Sequence, residues 1–204
     1  MITGLVSKRS SSSWETHSLW EYLLLAHPDA AVNEQVLVEK NYFFNEYRQP
    51  IAIRTKPHIT VANFLAKEEM EQTLLRWIQR VCDNQSRFVT TLNNFSGFPA
   101  HTIYLRVQNH QPYKELAKGL KAIEQYVRSN DCPPVHFVST PHLTIARRLS
   151  EEVYEKAIKD FSQRLFHASF SVDNLLLIKR KHQREAFQHV TLFPLAAQPH
   201  NLFN

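Results

Sequence analysis

Apolar and polar residues recur along this chain with two periods, and the two periods take turns. Glu21 to Ala26 (EYLLLA) is a short apolar run closed by His27-Pro28-Asp29, the pattern of a buried strand. Residues 32–48 set Val36, Lys40, Phe43 and Tyr47 three or four apart, which predicts a helix. Pro50 and Pro57 bracket a loop, and His58 to Leu65 (HITVANFL) predicts a strand. Met70, Leu74, Ile78 and Cys82 repeat every fourth residue and predict an amphipathic helix over 67–82. Arg87 to Leu92 is strand-like, and Asn93 to Pro99 is turn-rich.

The pattern then begins again. Thr102 to Val107 (TIYLRV) alternates like a strand, and Tyr113, Leu116, Leu120, Ile123 and Val127 place a helix over 112–128 that Asp131 to Pro134 break. His142 to Arg147 (HLTIAR) predicts a strand. Ser150 is a good N-cap for a helix with Glu151-Glu152 in its first turn and Val153, Ala157, Phe161 and Leu165 on one face. Ser169 to Ile178 and Ala186 to Leu195 predict two closing strands joined by the polar stretch Lys179 to Glu185. Each half reads strand, helix, strand, helix, strand. A repeat of this size predicts one pseudo-symmetric domain over residues 19–204, with βαβαβ lobes of about 19–95 and 102–195. Residues 1–18, with Lys8-Arg9 and Ser10 to Ser13, read as a flexible N-terminal arm.

Composition narrows the chemistry. The 204 residues are 43% hydrophobic and 21% charged, enough apolar matter for a core and no run that suits a bilayer. The three glycines, Gly4, Gly97 and Gly119, are too scattered for a GxGxxG or a GxxxxGK[ST] loop, which excludes a glycine-dependent dinucleotide or Walker-type site. The net charge of +5 leans towards acidic partners such as phosphates or nucleic acid. Two cysteines, Cys82 and Cys132, make no disulfide framework, and the polar N-terminus lacks the apolar core of a signal peptide, so a reducing, cytoplasmic setting is expected. With no HExxH or CxxC, a zinc site is not expected.

The repeat carries a motif. Residues 57–61 are Pro-His-Ile-Thr-Val and residues 141–145 are Pro-His-Leu-Thr-Ile, with the histidines 84 positions apart. On a strand, residues two apart share a face. His58 and Thr60 therefore face one way and Ile59 and Val61 the other; His142 and Thr144 likewise oppose Leu143 and Ile145. One His-x-Thr among 11 histidines would be close to noise, and a lone one is most often a hydrogen-bonded structural residue. Two copies at equivalent points of a repeat point to function. Across a pseudo-twofold axis the polar faces would meet in one cleft. In-line displacement at phosphorus needs a base on the attacking oxygen and an acid on the departing one, and histidine can do either near neutral pH. The threonine hydroxyls can bind the non-bridging oxygens. No metal or other cofactor is called for.

With these residues in hand, the sequence resembles the 2H phosphoesterase superfamily, which includes the 2′-5′ RNA ligase-like proteins and the cyclic phosphodiesterases. The resemblance runs from about Leu19 to Leu195 and is most specific in His58-Ile59-Thr60 and His142-Leu143-Thr144, with His142 to Arg147 especially like the RNA-ligase-type branch. It implies an α+β fold of two lobes with antiparallel-rich sheets flanking a central catalytic groove. It implies metal-independent cleavage of a 2′,3′-cyclic phosphate or 2′-5′ phosphodiester on RNA ends or nucleotides. It implies His58 as proton donor, His142 as the base that activates water, and Thr60 and Thr144 as phosphate ligands, although the symmetry of the motif assigns neither histidine its role. Such members tend to carry a serine and a tyrosine near the closing strands, where this chain has Lys179-Arg180-Lys181 and Phe187.

Further residues could line the cleft. Tyr104 and Arg106 share one face of their strand, where Tyr104 could stack a base or pack against its own lobe. Strict alternation places Arg147 on the apolar face and gives Arg148 the groove parity. Arg54, Lys56, His136 and the Lys179 to His182 run are weaker candidates: Arg54 reads more readily as a solvated residue, His136 as a structural one, and the basic run equally well as a solubilising hairpin tip. The expected partners are RNA ends or cyclic nucleotides, with no membrane and a monomeric chain. The alternatives are a non-catalytic RNA-end-binding module, a 2′-5′ ligase running in the reverse direction, and a small-molecule hydrolase of the same fold.

Overall fold

The computed structural model describes residues 19–197. The arm expected over 1–18 lies outside the described residues. Local chemistry starts each element. Asp29 accepts the Val32 N–H at 2.9 Å and caps α1 (Ala30–Tyr47), which ends where Arg48 turns to φ 52°. Met70, Leu74, Ile78 and Cys82 are buried along α2 (Glu71–Asp83) and the short turn before it, as their spacing requires. Ser150 caps α5 (Glu151–Phe161) by accepting the Val153 N–H. Between these lie β1 (Leu19–Ala26), β2 (Ile59–Lys67), β3 (Phe88–Phe98), β4 (Thr102–Val107), α3 (Gln111–Gly119), α4 (Lys121–Ser129), β5 (His136–Phe137) and β6 (His142–Arg147). β7 (His167–Val172), β8 (Asn174–Arg180) and β9 (Gln188–Pro194) follow α5.

The strands form one nine-stranded sheet in the order β7-β3-β4-β6-β2-β1-β8-β9, with β5 on the edge of β2, and all its named pairings are antiparallel. This is the α+β, antiparallel-rich architecture expected. Helices α1 and α5 pack on the half built from β7, β3, β4 and β6, while α2 and α3 pack on the half built from β2, β1, β8 and β9. The apolar core lies between helices and sheet.

The halves of the sheet do not follow the halves of the chain drawn at 19–95 and 102–195. β3 crosses into the second half, and β8 and β9 return to complete the first. The crossing occurs at Asp173, the one residue between β7 and β8, which splits the strand expected over Ser169 to Ile178. One residue spans at most ~7 Å between its neighbours' Cα atoms. The sheet therefore curls until its distant strands meet, and Leu195 N–H to Asp173 O (2.9 Å) and Arg87 N–H to Ala196 O (2.9 Å) tie the seam.

Other departures have local causes. The helix expected over 112–128 breaks at Leu120 (ψ −2°), directly after Gly119, where a Cβ would come 2.9 Å from Val81 Cγ1. Of the turn-rich Asn93 to Pro99, all but Pro99 stay inside β3, because Asn94 absorbs the irregularity at φ 55° while its side-chain oxygen accepts the Phe166 N–H. α5 stops at Phe161, leaving Leu165 87% exposed. Gly97 of β3 passes under Tyr154 of α5, and a Cβ there would lie 2.8 Å from Tyr154 Cε2. Tyr154 is itself buried. Gly97→Ala should therefore lower stability by about 1–3 kcal/mol in urea denaturation; an unchanged midpoint would show that Tyr154 can retreat freely.

Candidate active site

The two motif strands are neighbours. β2 and β6 run antiparallel with Ile59 paired to Leu143, both fully buried. Stepping one residue either way sets Thr60 opposite His142 and His58 opposite Thr144. The two motifs thus face each other head to tail. Opposite residues on one face stand about 5 Å apart at Cβ and diagonal ones about 7–8 Å, so the two imidazoles hold a diagonal wide enough for a tetrahedral anion between them. His58, Thr60, His142 and Thr144 are all part-exposed, while Ile59, Val61, Leu143 and Ile145 are buried on the helix side.

Both strands then bulge at the same place. In the β1–β2 ladder Leu24 pairs with Ala62 and Leu25 with Thr60, leaving Val61 extra. In the β4–β6 ladder Ile103 pairs with Ala146 and Tyr104 with Thr144, leaving Ile145 extra. A bulge reverses the alternation beyond it. Val61 and Ala62 are both buried, as are Ile145 and Ala146, and the groove face resumes at Asn63 and Arg147. This corrects the parity argument: the groove-facing arginine is Arg147. Arg148 lies past the end of β6 with φ 57°, outside the alternating strand.

The imidazoles are held alike. His58 Nδ1 bonds the carbonyl of Lys56 at 2.8 Å, and His142 Nδ1 bonds that of Thr140 at 2.8 Å. A carbonyl only accepts, so Nδ1 carries the proton in each ring and Nε2 is left for chemistry. Burial pushes the His58 pKa down to about 4, helped by the charges of Lys40 and Arg147, and lowers that of His142. Both rings are therefore neutral at pH 7. The ring of His142 rests on Phe98 (centroids 4.9 Å) and Tyr104 (5.0 Å). His27 lies 6.1 Å from His58, with its Nδ1 on the Pro57 carbonyl.

The remaining candidates separate clearly. Tyr104 is buried against Phe98 and His142, so it braces the imidazole and offers no face to a base. Arg106 is exposed, pairs across the ladder with His142, and donates Nε to the Asn93 carbonyl. Of the Lys179 to His182 run, Lys179 is taken by Glu71 and Glu68, and Arg180 by Glu21 at 2.6 Å with Phe187 over its guanidinium. Arg54 and Lys56 are exposed in the loop before β2, and His136 is exposed on β5. Among the described residues no three His, Cys, Asp or Glu side chains cluster as metal ligands, and no helix is long and apolar enough to cross a membrane.

Sequence reasoning missed Lys40. It sits in the apolar stepping of α1, is 1% exposed, and donates Nζ to the carbonyls of Thr144 and Ile145 at 3.2 Å each. Burial lowers its pKa to about 8. Only the coincidence of a charged residue with a core position hinted at it.

Comparison with known proteins follows this geometry. The model of the 2′-5′ RNA ligase superfamily matches residues 27–184. The E. coli LigT structure complexed with 3′-AMP is 20% identical, with a TM-score of 0.63 over 87% of this chain and 99% of LigT. LigT complexed with phosphate is 17% identical at a TM-score of 0.61 over 88% and 99%. TT0787 of Thermus thermophilus is 17% identical, with a TM-score of 0.63 over 87% and 99%. These likenesses establish the fold. No curated protein sequence matches the chain.

Both His58 and His142 should show the neutral Nδ1–H tautomer at pH 7 in long-range ¹⁵N–¹H spectra. An imidazolium signal from either ring at that pH would contradict the burial-driven shifts.

Proposed function

We propose that this chain, which belongs to the 2′-5′ RNA ligase superfamily, is a metal-independent phosphoesterase that opens a 2′,3′-cyclic phosphate or a 2′-5′ phosphodiester of an RNA end or nucleotide. The observation that carries the reading is the inverted pairing of the two His-x-Thr strands, which presents two Nε2 atoms and two hydroxyls to one groove. The 3′-AMP and phosphate bound by LigT are ligands of the class such a groove would hold.

In this reading His142 Nε2 takes a proton from water as its oxygen bonds to phosphorus. The bond to the 2′ oxygen breaks on the far side, and His58, which enters the step as the imidazolium, delivers its Nε2 proton to that oxygen and returns to the neutral Nδ1–H form, leaving a phosphomonoester. Thr60, Thr144 and Arg147 hold the non-bridging oxygens, and Arg106 offers a further cation beside His142. One observation favours exchanging the roles. His58 is the more strongly shifted imidazole, and its neighbours Lys40 and Arg147 favour its neutral form, which suits the base. The alanine variant of the acid should recover turnover on an ester with a p-nitrophenyl leaving group, which needs no proton. The alanine variant of the base should not.

His58→Ala and His142→Ala should each lose roughly 10²–10⁴ in kcat on a 2′,3′-cyclic nucleotide, with wild-type activity persisting in EDTA. Full turnover by either variant would end the two-histidine mechanism, and binding without product would mark a non-catalytic module. The pH profile should shift too. The free enzyme needs one imidazole protonated and one neutral, and burial lowers both pKa values. The bell in kcat/KM should therefore centre below pH 6.5, the ordinary histidine value; a centre at 7 or above would contradict this. Arg147→Ala should raise KM while Arg148→Ala leaves it near the wild-type value.

A further inference from the structure

The twin bulges expose equivalent backbone groups and satisfy them by different means. On β2 the Val61 carbonyl accepts the backbone N–H of Val138 at 3.1 Å. On β6 the corresponding carbonyl, that of Ile145, accepts instead from the Lys40 ammonium, as does that of Thr144. A neutral donor is enough for this geometry, as Val138 shows. An ammonium in the same place costs several kcal/mol of desolvation unless something offsets it. Among the described residues no carboxylate pairs with Lys40: its neighbour Glu39 is taken by Arg164 at 2.9 Å. The charged or titratable groups that act on it or feel it are Arg147, at the end of β6, and His58, just before β2. Neither is negative. Among the described residues the counter-charge is therefore missing, and the carbonyls that Lys40 holds belong to the strand that carries Thr144 on the groove face.

We propose that Lys40 is the buried counter-charge of the groove's anion site: from beneath β6 it fixes the peptide groups of Thr144 and Ile145 and lends positive potential to a phosphate held above them. It acts through Thr144, so it is a positioning residue, and the inference rests on the reading that the groove binds phosphate. Burial makes the charge effective, because its field is not screened by water as that of an exposed lysine is. The cost falls on the empty protein and is recovered when the anion binds.

The test uses the whole chain and inorganic phosphate at pH 7, followed by calorimetry. Lys40→Met keeps the side chain's length and removes the charge. It should leave the protein folded, with a lower thermal midpoint because the Thr144 and Ile145 carbonyls lose their donor, and weaken phosphate binding about tenfold, the order expected of one charge acting through protein over about 10 Å. A folded variant that binds phosphate within twofold of the wild type would overturn the proposal. Should the variant not fold, wild-type protein with ¹⁵N-labelled lysines decides. Saturating phosphate should move the Lys40 Nζ titration to higher pH, and an unmoved titration overturns the proposal. Wild type that binds no phosphate at all would remove the anion site itself, whereas binding indifferent to Lys40 removes only this inference.

Discussion

Between the two motif strands a single ladder pair, Ile59 with Leu143, joins the halves of the sheet, and the shared face of the two motifs depends on it. Both side chains are buried among the helix-side apolar residues, so the rung is anchored from beneath. The join is short for a reason. Beyond the bulge, the edge of β2 that faces β6 is taken by β5, with Ala62 against Phe137 and Asn63 against His136. β2 and β6 therefore pair only beside the motifs, where His58, Thr60, His142 and Thr144 share a face.

The motif was legible because a strand's period of two is rigid: Pro-His-x-Thr with apolar residues between allows one face for the polar pair, and duplication separated signal from accident. The inverted register was not legible, since pairing of strands 84 residues apart leaves no local trace. Nor were the bulges. Val61 and Ile145 look like ordinary strand residues, and one extra residue in each was enough to exchange Arg148 for Arg147 on the groove face. Tyr104 failed as a base platform because Phe98, from the neighbouring strand, reaches the same His142 ring. Helix periodicity located every long helix, yet ran through the break at Leu120, where helical spacing survives on both sides of the kink.

The site's electrostatics follow from burial more than from pairing. Lys40, Arg147 and Arg106 surround two neutral imidazoles, while the acidic side chains nearby are engaged: Glu21 with Arg180, Glu39 with Arg164, Glu71 with Lys179. The empty groove is thus poised positive without an imidazolium. Each histidine keeps a carbonyl on Nδ1, so Nε2 is the nitrogen each ring leaves open to the groove, and neither ring needs a carboxylate partner to orient it.

The passage through Asp173 bears on how the molecule comes to exist. β1 and β2 are made early, but β8, which pairs with β1, and β9, which pairs with β8, come from residues 174–194. A nascent chain emerging from the ribosome at ~5–20 residues per second exposes the first half as an unfinished sheet, its open edge unpaired, until those late strands arrive. The groove is accordingly among the last parts to be assembled, and a chain truncated before β8 would lose the scaffold of His58 while retaining its sequence.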